Sequence, residues 1–154
     1  MTPPVQLSAA ILGRYKRVSL YNSPYPAHDR GHAVDLYPGE NGGPAPSPVA
    51  GEVLDTRTVR CPPRDYAVAE DHLVLVDTGE CVARVLHVKP AVEPGDEVAV
   101  GDSLGTLVRS GFFGQWVDDH IHLGFRAPDA NPYRASGSLP LALEVEVTPV
   151  AWDG

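Results

Sequence analysis

Apolar residues along this 154-residue chain fall in short runs separated by turn formers, and nowhere in a sustained helical stripe. The runs read as strands. A short one is expected at Arg17–Tyr21, within an otherwise irregular stretch 1–27, and another at Gly31–Leu36, ending before Pro38. Val49–Arg60 reads as a strand bent at Gly51. Leu73–Asp77 and Cys81–Val88 form a hairpin about Thr78-Gly79. Its first arm carries Leu73, Val74, Leu75 and Val76 in succession, which predicts burial on both faces. Asp119–Arg126 is a further strand. Leu139–Val147, apolar at every odd position, predicts a half-buried last one. Between Val92 and Gly105 the chain is punctuated by Gly95, Gly101 and Gly105, each placed to turn at positive φ. Pro38–Pro48, with four Pro and three Gly, reads as a loop. The pattern predicts a mainly β fold: short antiparallel strands in a β-sheet or barrel-sandwich core with long loops.

Composition agrees. Gly and Pro supply 31 of 154 residues, spread throughout, which disfavours long helices. The length suits one domain with a real core, so residues 1–154 are read as a single domain. A net charge of −8, from 20 acidic against 12 basic residues, argues against nucleic acid as a partner. No apolar run approaches the roughly 18–20 residues that span a bilayer, so no membrane partner is expected. No basic segment precedes an apolar one at the N-terminus, and the expected location is cytoplasmic, with export by another route left open. Cys61 and Cys81 lack any Cys-x-x-Cys spacing; they read as small core residues or an optional disulfide.

The candidate chemistry lies in the six histidines, His28, His32, His72, His87, His120 and His122. In Asp119-His120-Ile121-His122-Leu123, strand alternation sets the two imidazoles side by side and turns Ile121 and Leu123 into apolar packing. A second cluster is His28-Asp-Arg-Gly31-His32-Ala33-Val34-Asp35. A His and an Asp near a glycine turn, joined by a distant His, make an open zinc set of two nitrogens and one oxygen. If Gly31–Leu36 is a strand, Asp35 shares its face with Ala33 and Gly31 while His32 points away. That parity favours His28, which can fold back before Gly31, over His32. His72 reads as a surface residue. No Gly-x-Ser-x-Gly elbow and no phosphate-binding glycine loop is present.

Taken in order, Asp35, Pro48-Val-Ala-Gly-Glu-Val, Leu86-His87, Val92-Glu-Pro-Gly-Asp-Glu-Val-Ala-Val-Gly and His120-Ile-His122 resemble the lysostaphin-type zinc metallopeptidases. The resemblance covers about His28 to Arg126, leaving 1–27 as an N-terminal extension and 139–154 as a C-terminal strand and tail. One departure stands out: that group places its first ligand four residues before the Asp, where this chain has Gly31. The arrangement His28-x-x-Gly31-x-Ala33-x-Asp35 is similar instead to the motif of the D-Ala-D-Ala carboxypeptidases and the hedgehog signalling domain, of the same wider superfamily. Their motif begins Ser-x before the His, where this chain has Pro26-Ala27.

The resemblance implies a zinc ion, Zn(2+), held by His28, Asp35 and His122, with His120 and His87 as catalytic residues. It implies hydrolysis of a peptide (amide) bond, in short or Gly/Ala-containing peptides. His120 is the first choice for the base and His87 for the oxyanion partner, and the two roles are exchangeable. The loops Gly39–Ser47 and Ser110–Val117 are candidate walls of a zinc cleft, with Phe112, Phe113 and Trp116 either lining it or filling core. A second reading is a zinc-binding domain without catalysis that recognises a peptide or protein partner. A third, a biotinyl- or lipoyl-type carrier, lacks the hairpin Lys that such a module needs, because Lys89 precedes Pro90.

Overall fold

A computed structural model describes residues 5–19, 32–134 and 138–143. In chain order the elements are β1 (Val5–Leu7), α1 (Ala9–Leu12), β2 (Arg17–Ser19), β3 (Ala33–Tyr37), β4 (Pro44–Pro46), β5 (Gly51–Arg60) and β6 (Glu70–Asp77). They continue with β7 (Val82–Leu86), β8 (Val88–Pro90), β9 (Glu97–Val98), β10 (Ser103–Leu107), β11 (Ile121–Arg126) and β12 (Leu141–Leu143). The fold is mainly β, as the patterning predicts. Strands β2-β3-β11-β7-β6-β5-β9 form one antiparallel sheet, and β4-β10-β8 form a second, smaller one.

Register decides which residues meet. In β11, Ile121, Leu123 and Phe125 turn to one face, where Val34 and Leu36 of β3, Ala83 and Val85 of β7 and Val74 and Val76 of β6 join them. The small sheet closes over that face with Ala45, Val88, Leu104 and Leu107, completing the main core. Leu73 to Val76 are all buried because alternate residues serve different layers: Val74 and Val76 enter the main core, Leu73 and Leu75 a smaller cluster with Val82. The opposite face of the large sheet carries Asp35, His122, Gly124 and Arg84, set in register by the same pairings.

Three local features differ from the sequence expectation. Pro44–Pro46, expected to be loop, is β4. It is an edge strand, where missing N–H groups are tolerated. Val5–Leu7 pairs in parallel with Leu141–Leu143, an exception to the antiparallel rule that makes the expected irregular N-terminus part of the fold. After β1 comes α1, a single turn capped by the Ser8 side chain, which accepts from the Ile11 N–H at 3.2 Å. The expected strand residues Leu20, Tyr21, Gly31 and 144–147 lie outside the described residues. Gly95, Gly101 and Gly105 do take positive φ, at 97°, 94° and 147°. At Gly105 the need is steric as well, since a Cβ there would land on the Lys89 carbonyl oxygen of the neighbouring strand.

Candidate active site

Asp35 and His122 stand directly opposite one another across β3 and β11. Ile121 and Leu123 are fixed in the core, so His122 must face the other way, as strand alternation requires. Its Nδ1 lies 3.1 Å from Asp35 Oδ1. Asp35 is buried, and its second oxygen is 3.5 Å from His120 Nε2. One carboxylate thus has an imidazole on each oxygen.

His120 lies just before β11, packed on the Tyr37 ring at 4.9 Å between centroids. Its Nδ1 is 2.8 Å from the Asp118 carbonyl oxygen, which can only accept, so the ring proton sits on Nδ1 and Nε2 keeps its lone pair. Burial pushes its pKa down to about 4; Asp35 opposes this, while His87 and His122 add to it. His120 is therefore neutral at pH 7.

His87 occupies the break between β7 and β8 at φ 74°, in the left-handed region that non-glycine residues seldom enter. Asp71, fully buried on β6, holds it there. Asp71 Oδ1 accepts the His87 backbone N–H at 3.0 Å, and Oδ2 lies 2.5 Å from His87 Nδ1. Burial alone would raise the Asp71 carboxyl, but the bonds from His87, Ser110 and the His72 amide outweigh it and hold it below its ordinary value. An ionised carboxylate only accepts, so His87 Nδ1 donates and Nε2 is left for other contacts. The His87 ring is 5.1 Å from that of His120, edge to face, and 5.8 Å from that of His122.

One wall of the cluster is the 110–118 segment. Phe113 stacks 4.5 Å from the His120 ring and 5.1 Å from that of His87. Arg109 ties the segment into a rigid loop, donating to the carbonyls of Gly114, Gln115 and Val117 and to Asp119 Oδ1 at 2.9 Å. Asp119 in turn accepts from Gly42 N, joining the 39–47 stretch to the same wall. Gly111 is forced by close approach, since a Cβ would meet the Pro62 carbonyl. Neither Phe112 nor Phe113 is core: both are half-buried, and Trp116 is 90% exposed.

Over residues 6–143 the chain matches a family model described as the N-terminal domain of a domain of unknown function, DUF8155. The chain belongs to the DUF8155 family. No curated protein matches it. Solved structures similar to it include the catalytic domain of the prophage-encoded M23 protein EnpA from Enterococcus faecalis, in mutant form. That one is 18% identical, covering 71% of this chain and 74% of the other with a TM-score of 0.49. The catalytic domain of the antimicrobial peptidase lysostaphin from Staphylococcus simulans is 20% identical, covering 80% and 89% with a TM-score of 0.49.

In this DUF8155 domain the structure brings Asp35, His87, His120 and His122 together, while His28 lies outside the described residues. Among the described residues no three His, Cys, Asp or Glu side chains are placed to hold a metal ion, so this part of the site offers two donors, Asp35 and His122. Their chemistry, one carboxylate oxygen and one imidazole nitrogen converging on a buried face, fits two of the three positions of an open zinc set. His32 directly precedes β3, with its backbone carbonyl towards Gly124. His72, expected at the surface, is half-buried, and Cys61 and Cys81 are both free thiols. Sequence reasoning passed over Asp71. Its signal was parity: it shares a face with Leu73 and Leu75, and an acid on the inward face of an apolar strand needs a partner.

Proposed function

We propose that this domain hydrolyses a peptide bond with the help of a zinc ion held by His28, Asp35 and His122, and that His120 and His87 serve as its catalytic residues. The observation that carries this reading is the facing pair Asp35–His122, 3.1 Å apart, with two further imidazoles on the same rim. The motif order along the chain supports it as well, including the similarity of the first motif to the carboxypeptidase and hedgehog branch. When bound, such an ion supplies a Lewis acid that polarises a carbonyl and makes water a better nucleophile at neutral pH.

The chain's own groups would do the rest. His120, with its N–H spent on the Asp118 carbonyl, has only the Nε2 lone pair to offer. It would take the proton of the attacking water and return it to the leaving amine. His87, oriented through Nδ1 by Asp71, would turn Nε2 to the substrate and, in its doubly protonated form, donate to the developing oxyanion. Phe113 would exclude water from both rings.

The test is cleavage of a panel of short Gly- and Ala-containing peptides, followed by mass spectrometry, with His120→Ala as the comparison. The proposal expects cleavage that His120→Ala lowers by at least about 100-fold while zinc stays bound. Zinc-loaded protein that cleaves nothing, or equal cleavage by the variant, contradicts it.

A further inference from the structure

We propose that Arg84 and Arg126 form a binding site for a carboxylate of the peptide that this domain acts on. The inference rests on the proposed peptidase function and adds to it a substrate class.

Both arginines lie on the sheet face that carries His122. Along β11 that face presents His122, Gly124 and Arg126, and Arg84 of β7 stands directly opposite Gly124. The two guanidinium-bearing residues are thus diagonal neighbours. They are 8% and 1% exposed, unusual for side chains that cannot shed their charge. Among the described residues the acceptors they find are neutral. Arg84 Nε donates to the Pro132 carbonyl at 2.6 Å. Arg126 Nε donates to Ser138 Oγ and Nη1 to the Asn131 carbonyl, both at 3.2 Å. Arg126 Nη2 is buried with no acceptor among the described residues.

The charges around them make the case. Burial lowers the pKa of Arg84 to about 10, and the other influence on it is the like charge of Arg126. Arg126 is lowered too, by burial and then by Arg134. Three acids of this face, Asp35, Asp55 and Asp77, are engaged elsewhere. Asp55 accepts from Tyr133 Oη at 2.7 Å and Arg57 Nε at 3.1 Å, and Asp77 accepts from Gly79 N at 2.8 Å. Asp35 is committed to His122 and His120. Two adjacent buried cations without a counter-ion among the described residues are costly, and an anion supplied from outside would relieve both at once. A carboxylate matches the planar fork of a guanidinium.

Position ties this pair to the histidines. At about 3.3 Å per residue along a strand and about 4.8 Å between strands, Arg84 and Arg126 lie about 8 and 13 Å from His122. An extended peptide advances about 3.3–3.6 Å per residue, so the carboxylate would sit about two to four residues from the bond being cut. Two sources share this chemistry, a C-terminal carboxylate and an acidic side chain.

Calorimetric titration at low ionic strength tests the proposal on the full chain bearing His120→Ala, which slows turnover by at least about 100-fold. The probes are N-acetyl-trialanine, its C-terminal amide, and N-acetyl-Ala-Glu-Ala amide. The acid should bind at least tenfold tighter than the amide. Tight binding of the Glu peptide as well assigns the site to side-chain carboxylates, and its absence to the terminal one. Arg126→Met and Arg84→Met, each made separately, should erase the difference; either one that folds suffices. Equal binding of acid, amide and Glu peptide, or a preference for a carboxylate that survives both substitutions, overturns the proposal. A carboxylate preference in a protein whose zinc-loaded parent form cleaves nothing in the panel of Gly- and Ala-containing peptides would contradict the peptidase reading while leaving the anion site in place.

Discussion

Asp71→Asn isolates the role of the buried carboxylate behind His87. In the native protein Asp71 is fully buried and receives three N–H groups: the amides of His72 and His87 on Oδ1, at 2.6 and 3.0 Å, and His87 Nδ1 on Oδ2, at 2.5 Å. Asparagine keeps the shape and an acceptor for the two amides but sets an NH2 against His87 Nδ1. The charge-assisted bond is lost, at about 1.5–3 kcal/mol. The ring must also move its proton to Nε2. Asp71→Ala goes further, leaving buried donors without a partner, and should cost about 3–5 kcal/mol. Urea unfolding measures both losses, and nitrogen NMR of the His87 ring reports the tautomer. Activity, measured on a cleaved peptide, should fall about 10–100-fold in Asp71→Asn, the usual effect of losing a group that orients a functional histidine. The pH dependence has a definite sign. The folded-state carboxyl is held below its ordinary 3.8. Its contribution is therefore complete above that value and disappears as pH falls through the depressed one. Asp71→Asn should lack this acid-side loss. An unchanged tautomer with unchanged stability and activity would refute the reasoning.

Other consequences follow from packing and loops. Leu123→Ala, at a fully buried position between β3 and β7, should destabilise the fold by about 2–5 kcal/mol in the same urea assay. Arg109→Ala removes the donor shared by three loop carbonyls and Asp119; residues 110–118 should exchange their amide hydrogens faster while the β11 core stays protected. Gly105→Ala, which sets a Cβ against the Lys89 carbonyl at φ 147°, should lower the thermal midpoint by several degrees.

Much of this arrangement was legible in the chain itself. Alternation in His120-Ile121-His122-Leu123 sufficed to set Ile121 and Leu123 in the core and His122 opposite them, because a strand has only two faces. The hairpin about Thr78-Gly79 and the positive-φ glycines were equally local features. Long-range pairings were not legible: nothing in Val5–Leu7 announces a parallel partner more than 130 residues away, and three residues are too few to show a period. Pro44–Pro46 hid a strand behind residues that normally end one. Asp71 escaped because its partner, His87, lies 16 positions along the chain, joined only by the β6–β7 register and by the unusual φ of His87. The buried Arg84–Arg126 pair is of the same kind, since only pairing brings the two together.

The central claim, that Asp35 and His122 belong to a zinc site completed by His28, is tested most directly by the metal content of purified protein and its variants. The account predicts about one zinc per chain, lost in His28→Ala, Asp35→Ala and His122→Ala and retained in His32→Ala, His87→Ala and His120→Ala. Folded protein that takes up no zinc, or a metal removed by His32→Ala but not by His28→Ala, would contradict it.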